Sequence, residues 1–111
     1  MADAPLHLVT VVVQRKAGKK VLDAAIAAGA TGATFFYGQG TGVRQKLGFL
    51  GAFIDAEKQV IQVVAAPALA REVLAAVVKA GDLEKPGSGF AFVQEVIEAV
   101  GFLNPPASDA G

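Results

Sequence analysis

Leu8-Val9-Thr10-Val11-Val12-Val13 and Val60-Ile61-Gln62-Val63-Val64-Ala65 are the two stretches whose reading decides the fold. Each is β-branched and mostly apolar, the composition of a central strand. They lie on one another at a constant offset, and the same offset continues downstream without a gap. Val21-Leu22-Asp23-Ala24-Ala25-Ile26-Ala27-Ala28-Gly29 then falls on Val73-Leu74-Ala75-Ala76-Val77-Val78-Lys79-Ala80-Gly81. Each half is therefore a strand, a short break, an Ala-rich helical segment and a closing glycine.

The helical segments have their own signals. Lys19–Ala28 carries Val21, Leu22, Ala25 and Ile26 at helical spacing, and Gly29 follows where a left-handed terminator is wanted. Pro67 suits the first turn of the second helix. Leu69, Val73, Val77 and Ala80 form its apolar stripe, which Gly81 is expected to end. Many alanines keep both helices thin enough to lie close on a sheet. Further strands are expected at Thr34–Tyr37 and Phe90–Val96. Two βαβ units in one chain predict an α+β fold, the ferredoxin-like βαββαβ split sandwich, with a four-stranded antiparallel sheet and both helices on one face. An extra hairpin arm is expected between the halves, with Gly48–Ile54 pairing back across a turn at Asp55-Ala56-Glu57-Lys58. Residues 1–103 are expected to form one domain, and 104–111, with two prolines and small polar residues, a flexible tail.

Composition narrows the function. In 111 residues, hydrophobic side chains make up 53% and charged ones 18%, which excludes a disordered chain and predicts that some apolar surface is buried against copies of itself. Ten Lys and Arg balance ten Asp and Glu, without the basic surplus of a nucleic-acid binder. Without Cys there is no disulfide framework or thiolate metal site. The apolar run near the start is too short to span a bilayer and has no basic segment before it, so the expected compartment is the cytoplasm.

Three loops carry candidate chemistry. Tyr37-Gly38-Gln39-Gly40-Thr41-Gly42 is followed by Arg44 and Lys46, the elements of a phosphate cradle, though neither Walker A nor dinucleotide spacing is present. A flexible connection between strands accounts for the same residues. Lys85-Pro86-Gly87-Ser88-Gly89 reads equally as a ligand loop or as a tight entry into the last strand. Arg15, Lys16, Lys19 and Lys20 crowd a helix start, where the dipole favours anions, and a solvated turn is the simpler reading. His7 stands alone, and no carboxylate pair or nucleophile–base set can be assembled, so catalysis is disfavoured. Phe90 and Phe92 read as packing residues, in the core or at a subunit interface.

Gly32-Ala33-Thr34, Gly38-Gln39-Gly40, the Val60–Ala65 strand leading to Pro67, and above all Lys85-Pro86-Gly87-Ser88-Gly89 before Phe90-Ala91-Phe92-Val93 resemble the P-II family of nitrogen regulatory proteins over most of the chain. The resemblance implies a homotrimer that binds adenine nucleotides in clefts between subunits and regulates a target, often a membrane transporter. It assigns Thr34, Gly38, Gly40, Val64, Gly87, Ser88 and Gly89 to the nucleotide; Gln39 and Lys85 are counted with them, and Arg44, Lys46 and Lys85 are available to a diphosphate or small anion. ADP, AMP or ATP is the implied ligand, bicarbonate a candidate companion, and no obligatory cofactor is implied. The chain departs from the family at Phe90, where a phosphate-holding lysine is expected, at Gly101 and Leu103 in place of two arginines, and in a loop over 38–51 that lacks a modifiable tyrosine. These departures argue against covalent modification and tight ATP binding. The alternatives are a CutA-like structural or metal-responsive trimer and an acylphosphatase-like hydrolase. Lack of Cys and a single His weigh against the first, and the only Asn, Asn104 in the tail, against the second.

Overall fold

A computed structural model describes residues 5–40 and 57–101. The expected hairpin arm, Arg44 and Lys46, the loop beyond Gly40 and the tail lie outside the described residues. The elements run β1 (Leu6–Gln14), a 3-10 turn (Arg15–Ala17), α1 (Gly18–Ala27), β2 (Thr34–Gln39), β3 (Glu57–Ala65), α2 (Pro67–Gly81) and β4 (Gly89–Val96). The sheet order is β2-β3-β1-β4, and every neighbouring pair is antiparallel. This is the ferredoxin-like arrangement expected from the duplicated unit: the two matching strands β1 and β3 are the central pair, with Val9 opposite Val63 and Val11 opposite Ile61.

Strand alternation divides the sheet into two faces. Val9, Val11 and Val13 of β1 and Ile61, Val63 and Ala65 of β3 point to the helices and are buried there with Val21 and Ala25 of α1 and Ala70, Val73 and Val77 of α2. Each fully buried valine contributes on the order of 1.5–3 kcal/mol relative to an exposed one. Alanines at the helix–sheet contact let the layers approach. The opposite, open face carries Leu8, Val12, Val60 and Val64, with Phe36, Phe90 and Phe92 exposed upon it.

Of the two places expected for Phe90 and Phe92, the core one is excluded: their rings stack at 6.2 Å between centroids on the open face. Four other sequence expectations need correction. Ile26 sits on the outer side of α1 and is 51% exposed, because Val21 and Ala25 are the residues that meet the sheet. β2 continues through Gly38 and Gln39, so these two are strand rather than loop residues. Glu57 and Lys58 belong to β3, paired with Gln39 and Gly38, and not to a turn. Gly81 is still helical, and the left-handed residue is Asp82 (φ 57°, ψ 44°). The amides of Asp82 and Leu83 donate to Lys79 O at 3.2 Å and Val78 O at 2.9 Å, closing the helix in the Schellman manner.

Candidate functional site

At one end of the open face β1 and β2 finish, and β3 and β4 begin. A pocket of about 440 Å³ lies there, of the size that takes a small organic ligand. It is lined by Val12, Val13 and Gln14 from β1, Gly38, Gln39 and Gly40 at the end of β2, Lys58 and Val60 from β3, and Gly87, Ser88, Gly89 and Phe90 at the entry to β4. The two glycine segments, far apart in the chain, line opposite sides of this pocket, because the sheet order places β2 and β4 at its two edges with the ends of β1 and β3 between them.

Each wall has a local cause. Lys85 N–H donates to Asp82 O at 3.0 Å and Ser88 N–H to Lys85 O at 3.1 Å, so two successive turns carry the chain from α2 into β4. Gly87 (φ 88°) and Gly89 (φ 136°) hold conformations that side chains other than glycine rarely adopt. A Cβ on Gly89 would stand 2.4 Å from Val12 O, so the glycine allows β4 to close on β1 at the pocket wall. Gly38, by contrast, has open space where a Cβ would be. The Lys58 stem runs past Gly40, its Cγ and Cε 3.7 and 3.8 Å from where a Cβ there would lie. Lys58 is the one charged side chain among the described lining residues and makes no ion pair among the described residues. Phe90, 55% exposed, provides an apolar wall. The lining thus combines one positive charge, the polar side chains of Gln14, Gln39 and Ser88, and one aromatic flank.

Of the residues singled out from the sequence, Gly38, Gln39, Gly40, Gly87, Ser88 and Gly89 line this pocket, and Thr34, Val64 and Lys85 do not. Thr34 is opposite Gln62, and Val64 opposite Leu8, both farther along the same open face. Lys85 is exposed in the turn after α2. Ser88 spends its amide within the turn, leaving its hydroxyl as the group to offer. Sequence reasoning missed Lys58, which read as a turn residue, and Val12, Gln14 and Val60, whose convergence requires the sheet order. The basic run is exposed as expected. Arg15 pairs with Glu57 at 2.6 Å and Lys19 with Asp23 at 2.9 Å.

A larger hollow of about 560 Å³ lies along α2, lined by Arg71, Leu74, Ala75, Val78, Lys79, Asp82 and Glu84. Its charges are of both signs and on one surface, and none of the glycine segments reaches it. No group of three His, Cys, Asp or Glu able to hold a metal ion occurs among the described residues. Among the described residues no helix is long and apolar enough to cross a membrane.

Comparison with known proteins identifies the fold. Similar solved structures include the PII protein of Arabidopsis thaliana bound to citrate (19% identity, 85% of this chain and 79% of that one, TM-score 0.65). GlnK of B. subtilis (20% identity, 84% and 86%, TM-score 0.64) is similar too. So is a putative PII-like signaling protein of Thermus thermophilus (22% identity, 84% and 88%, TM-score 0.62). At these identities the likeness establishes the shared fold. A search of curated proteins gives no significant match. The family model described as nitrogen regulatory protein P-II matches residues 6–102, nearly the whole described fold, and the chain therefore belongs to the P-II family of regulatory signalling proteins.

Proposed function

We propose that the chain is a ligand-responsive regulator that binds an adenine nucleotide (ADP, AMP or ATP) together with a small anion such as bicarbonate. In this reading the sites are clefts between subunits of a cytoplasmic homotrimer, and the regulated target is a protein such as a membrane transporter in nitrogen or inorganic-carbon metabolism. The observation that carries the proposal is the meeting of Gly38–Gly40 and Gly87–Gly89 in one pocket beside Lys58. Glycine lets a ligand approach the backbone closely, and an ammonium beside it favours phosphate or carboxylate. The open position of the pocket on the apolar face fits a site that a neighbouring subunit completes. Thr34 and Val64, on the same face beyond the lining, would then serve the shared part of the cleft.

Phe90 at the pocket wall, in place of the phosphate-holding lysine that the resemblance implies, favours ligands of lower charge. ADP and AMP are therefore expected to bind more tightly than ATP. Calorimetric titration with ATP, ADP, AMP and bicarbonate tests the reading. A saturating ligand at one hundred times its Kd should also stabilise the fold by about 2.7 kcal/mol. Absence of both heat and thermal shift with all four would remove the nucleotide assignment.

A further inference from the structure

Leu8–Val13 and Val60–Ala65 each contain one polar residue, Thr10 and Gln62, at the third position of both. Strand pairing brings the two side by side. On the open face β1 presents Leu8, Thr10 and Val12, and β3 sets Val64, Gln62 and Val60 opposite them. One polar cross-strand pair is thus flanked by two apolar ones. The Gln62 amide Nε2 donates to Thr10 Oγ1 at 3.4 Å. Along the same row Thr34 of β2 is opposite Gln62, and Phe92 of β4 is opposite Thr10. Thr10 is 6% exposed and Gln62 is half-buried, while Thr34 is exposed.

This pair adds little to the lone chain. Its hydrogen bond is long and lies on the side of the sheet away from the core, and apolar side chains would suit the same strand positions. Its effect falls on whatever covers the face. The hydrogen bond leaves the Gln62 carbonyl oxygen, its second N–H and the Thr10 O–H still to be satisfied. A purely apolar cover would take water from these groups and give nothing back. A second copy of this chain offers both things the face needs: phenylalanines for the apolar pairs, and the exposed Thr34 hydroxyl for the polar one. We propose that Thr10 and Gln62 select the register in which copies of the chain pack on the open face. The apolar pairs supply attraction without direction. The polar pair disfavours every arrangement that buries it without partners, as a single buried polar residue fixes register in a coiled coil. This rests on the reading that copies of the chain cover the open face, and it adds the residues that make the assembly a single one.

Substitutions of matched shape test it, read by native mass spectrometry. Methionine keeps the length of Gln62 and valine the shape of Thr10, and neither position faces the helix-side core. Thr10→Val/Gln62→Met should associate at the same or a lower protein concentration than native. It should also lose its single stoichiometry, spreading over two or more oligomer sizes where native protein gives one trimer. A double variant that stays one trimer would overturn the proposal. So would one that dissociates at concentrations where native protein is assembled, because the pair would then be a source of attraction rather than of selection. Circular dichroism verifies folding, and Gln62→Met alone, at the more exposed of the two positions, carries the same expectation if the double variant does not fold. The two readings fail separately. A native monomer, or a native trimer that Phe92→Asp leaves intact, removes the open-face interface and this proposal with it. A trimer that Phe92→Asp dissociates and the double variant leaves uniform removes this proposal alone.

Discussion

Glycine serves two different purposes in the pocket, and single substitutions separate them. Gly89 is bound by its own sheet: its backbone is in a region unfavourable to other residues, and a Cβ would strike Val12 O. Gly89→Ala is expected to destabilise the fold by roughly 2 kcal/mol or more, read by urea unfolding, because either β4 must shift or the strain must remain. It cannot report on ligand binding alone. Gly38 is free of both constraints. It lies in β2, faces the pocket and has nothing within 4 Å of where a Cβ would stand. Gly38→Val should keep native stability or gain a few tenths of a kcal/mol, since valine suits a strand better than glycine. The same change should weaken ADP binding at least ten-fold in a calorimetric titration by filling the space a ligand needs. Native affinity in this variant would place the ligand elsewhere.

At the level of elements, most of the fold was legible because periodicity reports directly on burial. The duplicated strands carry alternating valines, and the helices carry apolar residues at helical spacing. Pro67 does occupy the start of α2 with no side-chain cap before it. Where the reading failed, two local causes compete in one residue type. Gly81 read as a left-handed terminator, yet it is helical, and its lack of a side chain serves packing. A Cβ there would meet Leu83 Cδ2 at 3.0 Å and Val21 Cγ2 at 3.3 Å. The left-handed turn falls instead on Asp82, one of the few types besides glycine that tolerates it. Opposite signs follow for neighbouring positions. Asp82→Gly should raise stability by about 0.5–1 kcal/mol by relieving the left-handed strain, and Gly81→Ala should lower it through the crowded α1–α2 contact. Paired thermal melts check both; a more stable Gly81→Ala would mean that Leu83 and Val21 yield without cost. The site was less legible than the elements. Its glycine segments were visible as sequence, but Lys58 was hidden by the assumption that a charged stretch before a strand is a turn. The contributions of Val12, Gln14 and Val60 depend on strand order, which no local spacing encodes.

For the molecule as a whole, the decisive feature is an imbalance between its two sheet faces. One is covered by α1 and α2. The other presents Phe36 at 46%, Phe90 at 55% and Phe92 at 41% exposure, around Leu8, Val12, Val60 and Val64. A polar line crosses this face where the Gln62 side-chain amide donates to Thr10 Oγ1 at 3.4 Å, but the remainder is the kind of apolar surface that a soluble protein buries against another protein. In a chain whose net charge is zero, little electrostatic repulsion would oppose that association. The pocket opens on this same face, so assembly and ligand binding are expected to depend on one another. Light scattering should give about three times the 11.3 kDa of one chain. Phe92→Asp places a carboxylate on the β4 side of the apolar face without touching the helix-side core, and should yield a folded monomer by light scattering and circular dichroism. That monomer should lose most of its affinity for ADP although every pocket-lining residue is intact. A Phe92→Asp protein that stays trimeric would move the interface away from this face, and a monomer with native affinity would show that one chain forms the complete site.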